Sequence, residues 1–91
     1  MREIHIRRMS YSDARMKLEN ELNDAFMQSE RRVHIVHGIG QGKLKAMAIK
    51  VVNEYDFCSL VAEEYILRPN PGVLVVDLFP PDRATMRMYR A

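Results

Sequence analysis

The residues of this chain that are best suited to chemistry lie between His37 and Lys43. A β-branched run ends in the histidine, and three glycines then stand at alternate positions before a pattern typical of a helix. Glycine lets the backbone turn tightly and approach a ligand, and the first N–H groups of a helix attract anions. Histidine adds a group that exchanges protons near neutral pH. The pattern indicates a phosphate-holding turn beside an acid or base; in the simpler alternative, the glycines only turn a corner.

Two common nucleotide motifs do not fit this turn. A phosphate loop requires glycine, four intervening residues and then Gly-Lys-Ser/Thr, but His37 stands at the first glycine position and Leu44 follows the lysine. The spacing Gly-x-Gly-x-x-Gly of dinucleotide-binding proteins is also absent. The turn is therefore expected to serve a different phosphate chemistry.

Length and composition predict one small domain with a modest core. The chain has 91 residues, of which 47% are hydrophobic, and a domain of this size buries about 60% of its unfolded surface. A single cysteine, Cys58, excludes an internal disulfide and a cysteine-based zinc site, and we expect it to be a small buried residue.

The net charge of +2 is too small to indicate nucleic-acid binding by itself. With no apolar signal segment and no bilayer-length run, a cytoplasmic location is expected.

Hydrophobic spacing divides the chain into six elements. Alternation of apolar and polar residues predicts strands, and apolar residues at i, i+3 and i+4 predict helices. Ser10 is expected to cap the first helix, with Asp13 completing a capping box. The predicted elements are a strand at residues 3–7, a helix from Ser10 to about Ser29, a strand at 32–37, a helix from Leu44 to about Asp56, and strands at 59–67 and 73–79.

The order βαβαββ predicts an α/β (α+β) two-layer sandwich, a four-stranded mixed sheet with two helices. If the first two strands are parallel, their C-terminal ends lie together, and Arg7 meets the glycine turn at one edge of the sheet. Residues 1–79 form the predicted domain, and residues 80–91 form a basic C-terminal tail. The tail is either an arm that contacts nucleic acid or, as we favour, a solvated terminus.

The glycine turn and its surroundings resemble the small MutS-related (Smr) domain family. The shared features are a strand, a Ser/Thr-capped helix, the pattern Val-x-Ile-Val-His-Gly-x-Gly-x-Gly-x-Leu at residues 33–44, a second helix and a closing hairpin that ends in Val-Val-Asp-Leu. The resemblance runs from about residue 4 to residue 79, which is nearly the whole chain. It implies a fold like the C-terminal domain of the bacterial translation initiation factor that binds the small ribosomal subunit, together with binding or endonuclease activity on DNA or RNA.

The first strand carries the second motif of the family in an altered form. The family has Leu-Asp-Leu-His-Gly, or Leu-Asp-Leu-Arg-Gly in the domains attached to one class of MutS-type proteins, whereas this chain has Ile-His-Ile-Arg-Arg at residues 4–8. Arg7 matches the arginine variant. His5 replaces an aspartate that could orient a histidine, activate water or help to hold a cation, and Arg8 replaces a glycine.

Phosphodiester cleavage needs proton transfer and positive groups around the phosphate, and the chain offers candidates for both. The candidate catalytic residues are His37, Arg7 and His5. The candidate phosphate-binding residues are Gly38, Gly40, Gly42, Lys43, Arg8 and Lys45. His34 is expected to be structural. No spacing of ligand residues predicts a metal cage, although a magnesium ion bridging substrate phosphates is compatible with the sequence.

These candidates leave two functions of the same fold open. In the first, the domain nicks DNA or RNA with His37 as acid or base. In the second, it is a nucleic-acid-binding module that has lost catalysis through the changed first strand. A protein-binding adaptor that uses the exposed sheet face has no motif behind it. The expected partners are nucleic acid and, by the resemblance, a larger MutS-like protein or the ribosome, and no membrane.

Overall fold

The computed structural model describes residues 1–79. Its elements in chain order are β1 (Arg2–His5), α1 (Tyr11–Met27), β2 (Arg32–Val36), α2 (Lys43–Glu54), β3 (Cys58–Leu60), a 3₁₀ helix (Glu63–Tyr65) and β4 (Val73–Leu78). The predicted basic tail at residues 80–91, with Arg83, Arg87 and Arg90, lies outside the described residues.

The four strands form one mixed sheet in the order β1-β2-β4-β3. β1 and β2 are parallel, with Ile4 opposite Ile35, while β4 is antiparallel to both of its neighbours. One face of the sheet packs against both helices, and the buried core contains Ile4, Ile35 and Val76 from the sheet with Leu18 and Val51 from the helices. The predicted two-layer arrangement of two helices on a mixed sheet is confirmed.

Helix α1 begins and ends through local hydrogen bonds. The N–H of Asp13 donates to Oγ of Ser10 at 3.3 Å, which confirms Ser10 as the N-cap. At the C-terminus, Ser29 adopts a left-handed φ of 59°, and its N–H donates to the carbonyl of Phe26. The N–H of Glu30 donates to the carbonyl of Ala25, which completes a Schellman motif that fixes the direction of the chain into β2.

The predicted strand at residues 59–67 is wrong beyond Leu60. The N–H of Val61 still donates to the carbonyl of Val75, but the chain then leaves the sheet and forms the 3₁₀ helix Glu63–Tyr65. Tyr65 and Leu67, which the alternation had assigned to a strand, are exposed. The antiparallel pairing of β3 with β4 is as predicted, although a long segment, residues 61–72, joins them instead of a tight turn.

Ion pairs join the ends of the elements. The guanidinium of Arg2 at the start of β1 lies 2.8 Å from a carboxylate oxygen of Asp24 and 2.9 Å from one of Glu30. Arg15 of α1 pairs with Glu54 of α2 at 3.2 Å. Such partly exposed pairs contribute at most about 1 kcal/mol each, so the core supplies most of the stability.

Neither helix within residues 1–79 has the length and apolar character that crossing a membrane requires.

Candidate functional site

The C-terminal ends of β1 and β2 lie side by side, and the residues that follow them line a pocket of about 330 Å³. The N–H of Ile6 donates to the carbonyl of Val36 at 3.0 Å, which carries the parallel pairing one step past β1. Continued by one more residue, this register places Arg7 beside Gly38, directly after His37. The pocket is lined by Arg7, Arg8, His37 and every residue from Gly38 to Lys45. The predicted meeting of Arg7 with the glycine turn at one sheet edge is confirmed.

The side chain of Arg7 crosses the glycine turn at Gly38. A Cβ on Gly38 would lie 2.8 Å from Cγ of Arg7 and 3.2 Å from its Cδ, closer than carbon atoms tolerate. Gly38 also has a φ of 78°, which other residues rarely adopt. The glycine therefore provides both the bend after β2 and the space in which the arginine stem rests.

Arg8 occupies a tight turn that leads out of β1. Its φ of 64° is left-handed, and the N–H of Met9 donates to the carbonyl of Ile6 across the turn at 3.2 Å. This turn places two consecutive arginines at the pocket, Arg7 on the glycine turn and Arg8 beside it.

The loop before β4 holds the glycine turn from behind. The carbonyl of Gly72 accepts hydrogen bonds from the N–H groups of both His37 and Gly38, each at 3.0 Å. Oδ1 of Asn70 accepts from the N–H of Gly72 at 2.9 Å and fixes the loop. Because the amide of Gly38 is engaged here, it is not free for a phosphate, and the amides available to a ligand begin at Ile39. The predicted strands at 59–67 and 73–79 leave residues 68–72 as their connection, but nothing in the sequence links this connection to His37.

The first turn of α2 supplies N–H groups without acceptors in the helix. Gly42 is the N-cap with a φ of 83°, and the first helical hydrogen bond runs from Ala46 to its carbonyl at 2.9 Å. The amides of Lys43, Leu44 and Lys45 therefore precede the helical ladder and face outward at the positive end of the helix dipole. Four of the side chains that line the pocket carry a positive charge: Arg7, Arg8, Lys43 and Lys45. None of the described residues that line it is acidic.

His37 is buried at the base of the turn, with 7% of its surface exposed. Its Nδ1 lies 2.7 Å from the carbonyl of Gly38, and since a carbonyl can only accept, Nδ1 carries the proton and donates. Nε2 is buried and has no hydrogen-bond partner among residues 1–79. Burial lowers the pKa of His37, the bond to Gly38 opposes this, and the charge of Lys45 lowers it further. The ring is therefore neutral at pH 7, with a lone pair on Nε2.

The other two histidines lie away from the pocket. Nε2 of His5 is 3.2 Å from Oε1 of Glu3, both side chains are more than half exposed, and neither lines the pocket. His34 is half-buried on the sheet face opposite the helices, across from Val75. Of the predicted catalytic residues, the structure brings together Arg7 and His37 and leaves His5 outside.

Neither a metal cage nor a reactive thiol is present in the described part of the chain. Residues 1–79 contain no group of three or more histidine, cysteine or acidic side chains placed to hold a metal ion. Cys58 is half-buried, and burial raises the pKa of its thiol to about 12, so it stays protonated at neutral pH. The pocket beside Gly38 is thus the arrangement best suited to bind an anion.

Comparisons with known proteins give one family and one fold. The profile of the Smr domain matches residues 4–78. The crystal structure of the Smr domain of Thermus thermophilus MutS2 superposes with a TM-score of 0.73 at 19% sequence identity, covering 88% of this chain and 100% of that one. A search of curated proteins finds no significant match. The structural likeness establishes the fold, and the profile match covers the strands, both helices and the pocket.

Proposed function

Because the chain belongs to the Smr domain family, we propose that the pocket beside Gly38 binds the phosphodiester backbone of a nucleic acid. The observation that supports this most strongly is the combination of four cationic side chains with the outward-facing amides at the start of α2. Phosphate contacts of this kind supply most of the sequence-independent affinity of nucleic-acid-binding proteins.

The binding proposal is tested by the salt dependence of affinity. Replacing Arg7 and Lys43 together by alanine removes two phosphate contacts, so log Kd should depend less steeply on log salt concentration, by about two units of slope. The measurement is fluorescence anisotropy with a labelled oligonucleotide over a range of salt concentrations.

A matched control is available on the same helix. Lys50 is exposed on α2 and lines no part of the pocket, so Lys50→Ala should change the salt slope far less than the double variant does. Equal effects of the control and the double variant would mean that these cations act only through general surface charge and would contradict the proposed pocket.

Nicking of the bound strand is the second candidate, and His37 is the observation that favours it. A neutral imidazole with a free Nε2 lone pair can accept the proton of an attacking hydroxyl, from water or from an RNA 2′-OH. As the new P–O bond forms, the bond to the leaving oxygen breaks and that oxygen takes a proton from solvent water, while Arg7 and Lys43 stabilise the charge on the phosphoryl oxygens. The covered position of Nε2 and the exclusion of His5 from the pocket favour the binding module instead.

Cleavage assays on labelled single- and double-stranded DNA and RNA, with magnesium or with a chelator, separate these two candidates. If the protein nicks, His37→Ala should lower the rate by about a hundredfold or more with little change in affinity. Because His5 lies outside the pocket, His5→Asp should then leave the rate unchanged. Equal cleavage by the wild type and His37→Ala in nuclease-free preparations would exclude His37 as the acid or base.

A further inference from the structure

A second groove, of about 500 Å³, lies on the sheet face that the helices leave uncovered. Its floor is the antiparallel pair of β2 and β4, where His34 stands directly opposite Val75. Its wall is the segment from Val61 to Pro71, which leaves the sheet after β3 and includes the 3₁₀ helix. The groove therefore exists because this segment does not continue β3 as a strand.

The groove borders the phosphate pocket. Lys45 lines both cavities, so one side chain forms their common border. The wall of the groove ends at Pro71, directly before Gly72, whose carbonyl accepts hydrogen bonds from the amides of His37 and Gly38. If a phosphate of a nucleic-acid strand occupies the pocket, the neighbouring nucleotides of that strand lie next to the groove, whose wall belongs to the same loop.

The chemistry of the groove differs from that of the pocket. At its rim, Tyr65 is 77% exposed and Leu67 is 96% exposed, so both side chains are accessible to a ligand. Arg68, Lys45 and His34 provide polar and cationic groups. Two acidic side chains, Glu3 and Glu63, also line the groove, and the charge of Arg32 is already paired with Asp77 at 2.6 Å. Flat apolar surfaces with a few hydrogen-bonding groups suit nucleobases, which stack on aromatic side chains and expose polar edges.

We propose that this groove binds one or more unpaired nucleobases of the strand whose phosphate occupies the pocket, so that the domain prefers single-stranded nucleic acid. This inference rests on the proposed function. Bases within a duplex are stacked on one another and cannot reach the groove, so a duplex gains only the phosphate contacts. Tyr65 is the residue that contributes most, because a base can stack on its exposed ring.

The test compares affinities for three probes of about twelve nucleotides each, by fluorescence anisotropy at one salt concentration. The probes are oligothymidylate, its duplex with oligoadenylate, and a strand of abasic sugar-phosphate units. Oligothymidylate should bind about tenfold more tightly than the other two. Tyr65→Ala should remove most of this advantage, Tyr65→Phe should keep it, and neither variant should alter duplex binding.

A control and two contrary outcomes complete the design. Tyr11→Ala changes an exposed tyrosine on α1 outside the groove and should leave all three affinities unchanged. If the three probes bind equally and Tyr65→Ala changes nothing, while Arg7→Ala with Lys43→Ala still weakens binding, the groove proposal fails and the phosphate pocket stands. If no probe binds at all, both proposals fail.

Discussion

Arg8 stands in a conformation that costs an L-amino acid energy. At a φ of 64° its Cβ approaches backbone oxygen, and the penalty is about 1–2 kcal/mol, from which glycine is exempt. The structure thus explains why the related motif has glycine here. We expect Arg8→Gly to stabilise the domain by about 0.5–1 kcal/mol after allowing for the greater entropy of unfolded glycine, measured by urea denaturation.

The same substitution should weaken binding, because it removes one of the four cations of the pocket. Arg8→Ala separates the two effects, since alanine keeps the left-handed strain but lacks the charge. It should therefore match Arg8→Gly in nucleic-acid affinity and resemble the wild type in stability. A gain in stability by both variants alike would show that backbone strain is not the cause.

His37 makes the stability of the domain depend on pH with a definite sign. Its pKa is lowered in the folded state by burial, whereas in the unfolded chain it is near 6.5. Well above pH 6.5 the ring is neutral in both states. Below that value the unfolded chain takes up the proton first, so the free energy of unfolding falls until the pH drops below the folded pKa.

His37→Gln should remove this contribution. Denaturation curves of the two proteins at about pH 7.5 and about pH 5.5 are the measurement, and the wild type should lose more stability on acidification than the variant. All other contributions to the pH dependence are common to both proteins and cancel in the comparison. A larger loss in the variant would contradict a buried neutral ring.

At the scale of elements, the loop before β4 decides where the glycine turn lies. Asn70 fixes Gly72, and Gly72 in turn holds His37 and Gly38. Asn70→Ala removes an acceptor worth about 0.5–1.5 kcal/mol and loosens the carbonyl of Gly72. We expect faster hydrogen exchange at the Gly38 amide and weaker nucleic-acid binding, while the domain remains folded.

A second variant, Asn70→Asp, distinguishes the role of Asn70 in positioning the glycine turn from a general loss of stability. Asn70→Asp keeps the side-chain oxygen and should restore protection of the Gly38 amide. Asn20→Ala, on the exposed face of α1, provides a control that touches neither the loop nor the pocket. Unchanged exchange at Gly38 in Asn70→Ala would show that the loop does not position the turn.

At the scale of the whole molecule, one sheet separates two kinds of surface. The helices cover one face and bury the core, while the other face carries the groove, and the pocket lies at the edge between them. Only a fold with parallel β1 and β2 brings Arg7 and His37 to the same edge. The layout leaves an edge and an open face accessible to a ligand without any opening of the core.

Residues 1–79 are proposed to fold without the basic tail. The family match ends at residue 78, and the buried core described here lies entirely between Ile4 and Leu78. A chain ending at Phe79 should therefore unfold cooperatively, with a Tm within about 4 °C of the full chain, as followed by circular dichroism. Loss of the cooperative transition would place structural contacts in residues 80–91.

The same truncation tests the two interpretations of the tail. If Arg83, Arg87 and Arg90 contact nucleic acid, the shorter chain should show a less steep salt dependence of binding. If the tail is solvated, as we favour, the slope should stay within experimental error of the full chain.

The sequence by itself determined the features that depend on neighbours within a few residues. Ser10 caps α1, the spacing from Leu18 onward sets its buried face, and His37 ends β2 just before the glycines. Capping and hydrophobic periodicity act over one or two turns or strand steps, so the pattern of residues contains them. With the parallel order of β1 and β2, the same reasoning placed Arg7 at the turn.

Only the tertiary structure decided the features that depend on residues distant in the chain. Gly72 holds the turn, His5 faces Glu3 instead of the pocket, and the chain after Leu60 leaves the sheet to form a groove. Each outcome follows from how strands pair and where a loop packs, which local propensity does not encode. For that reason the residue types of the pocket could be predicted from the sequence. Which of the predicted residues line the pocket, and that a groove lies beside it, could be seen only in the folded chain.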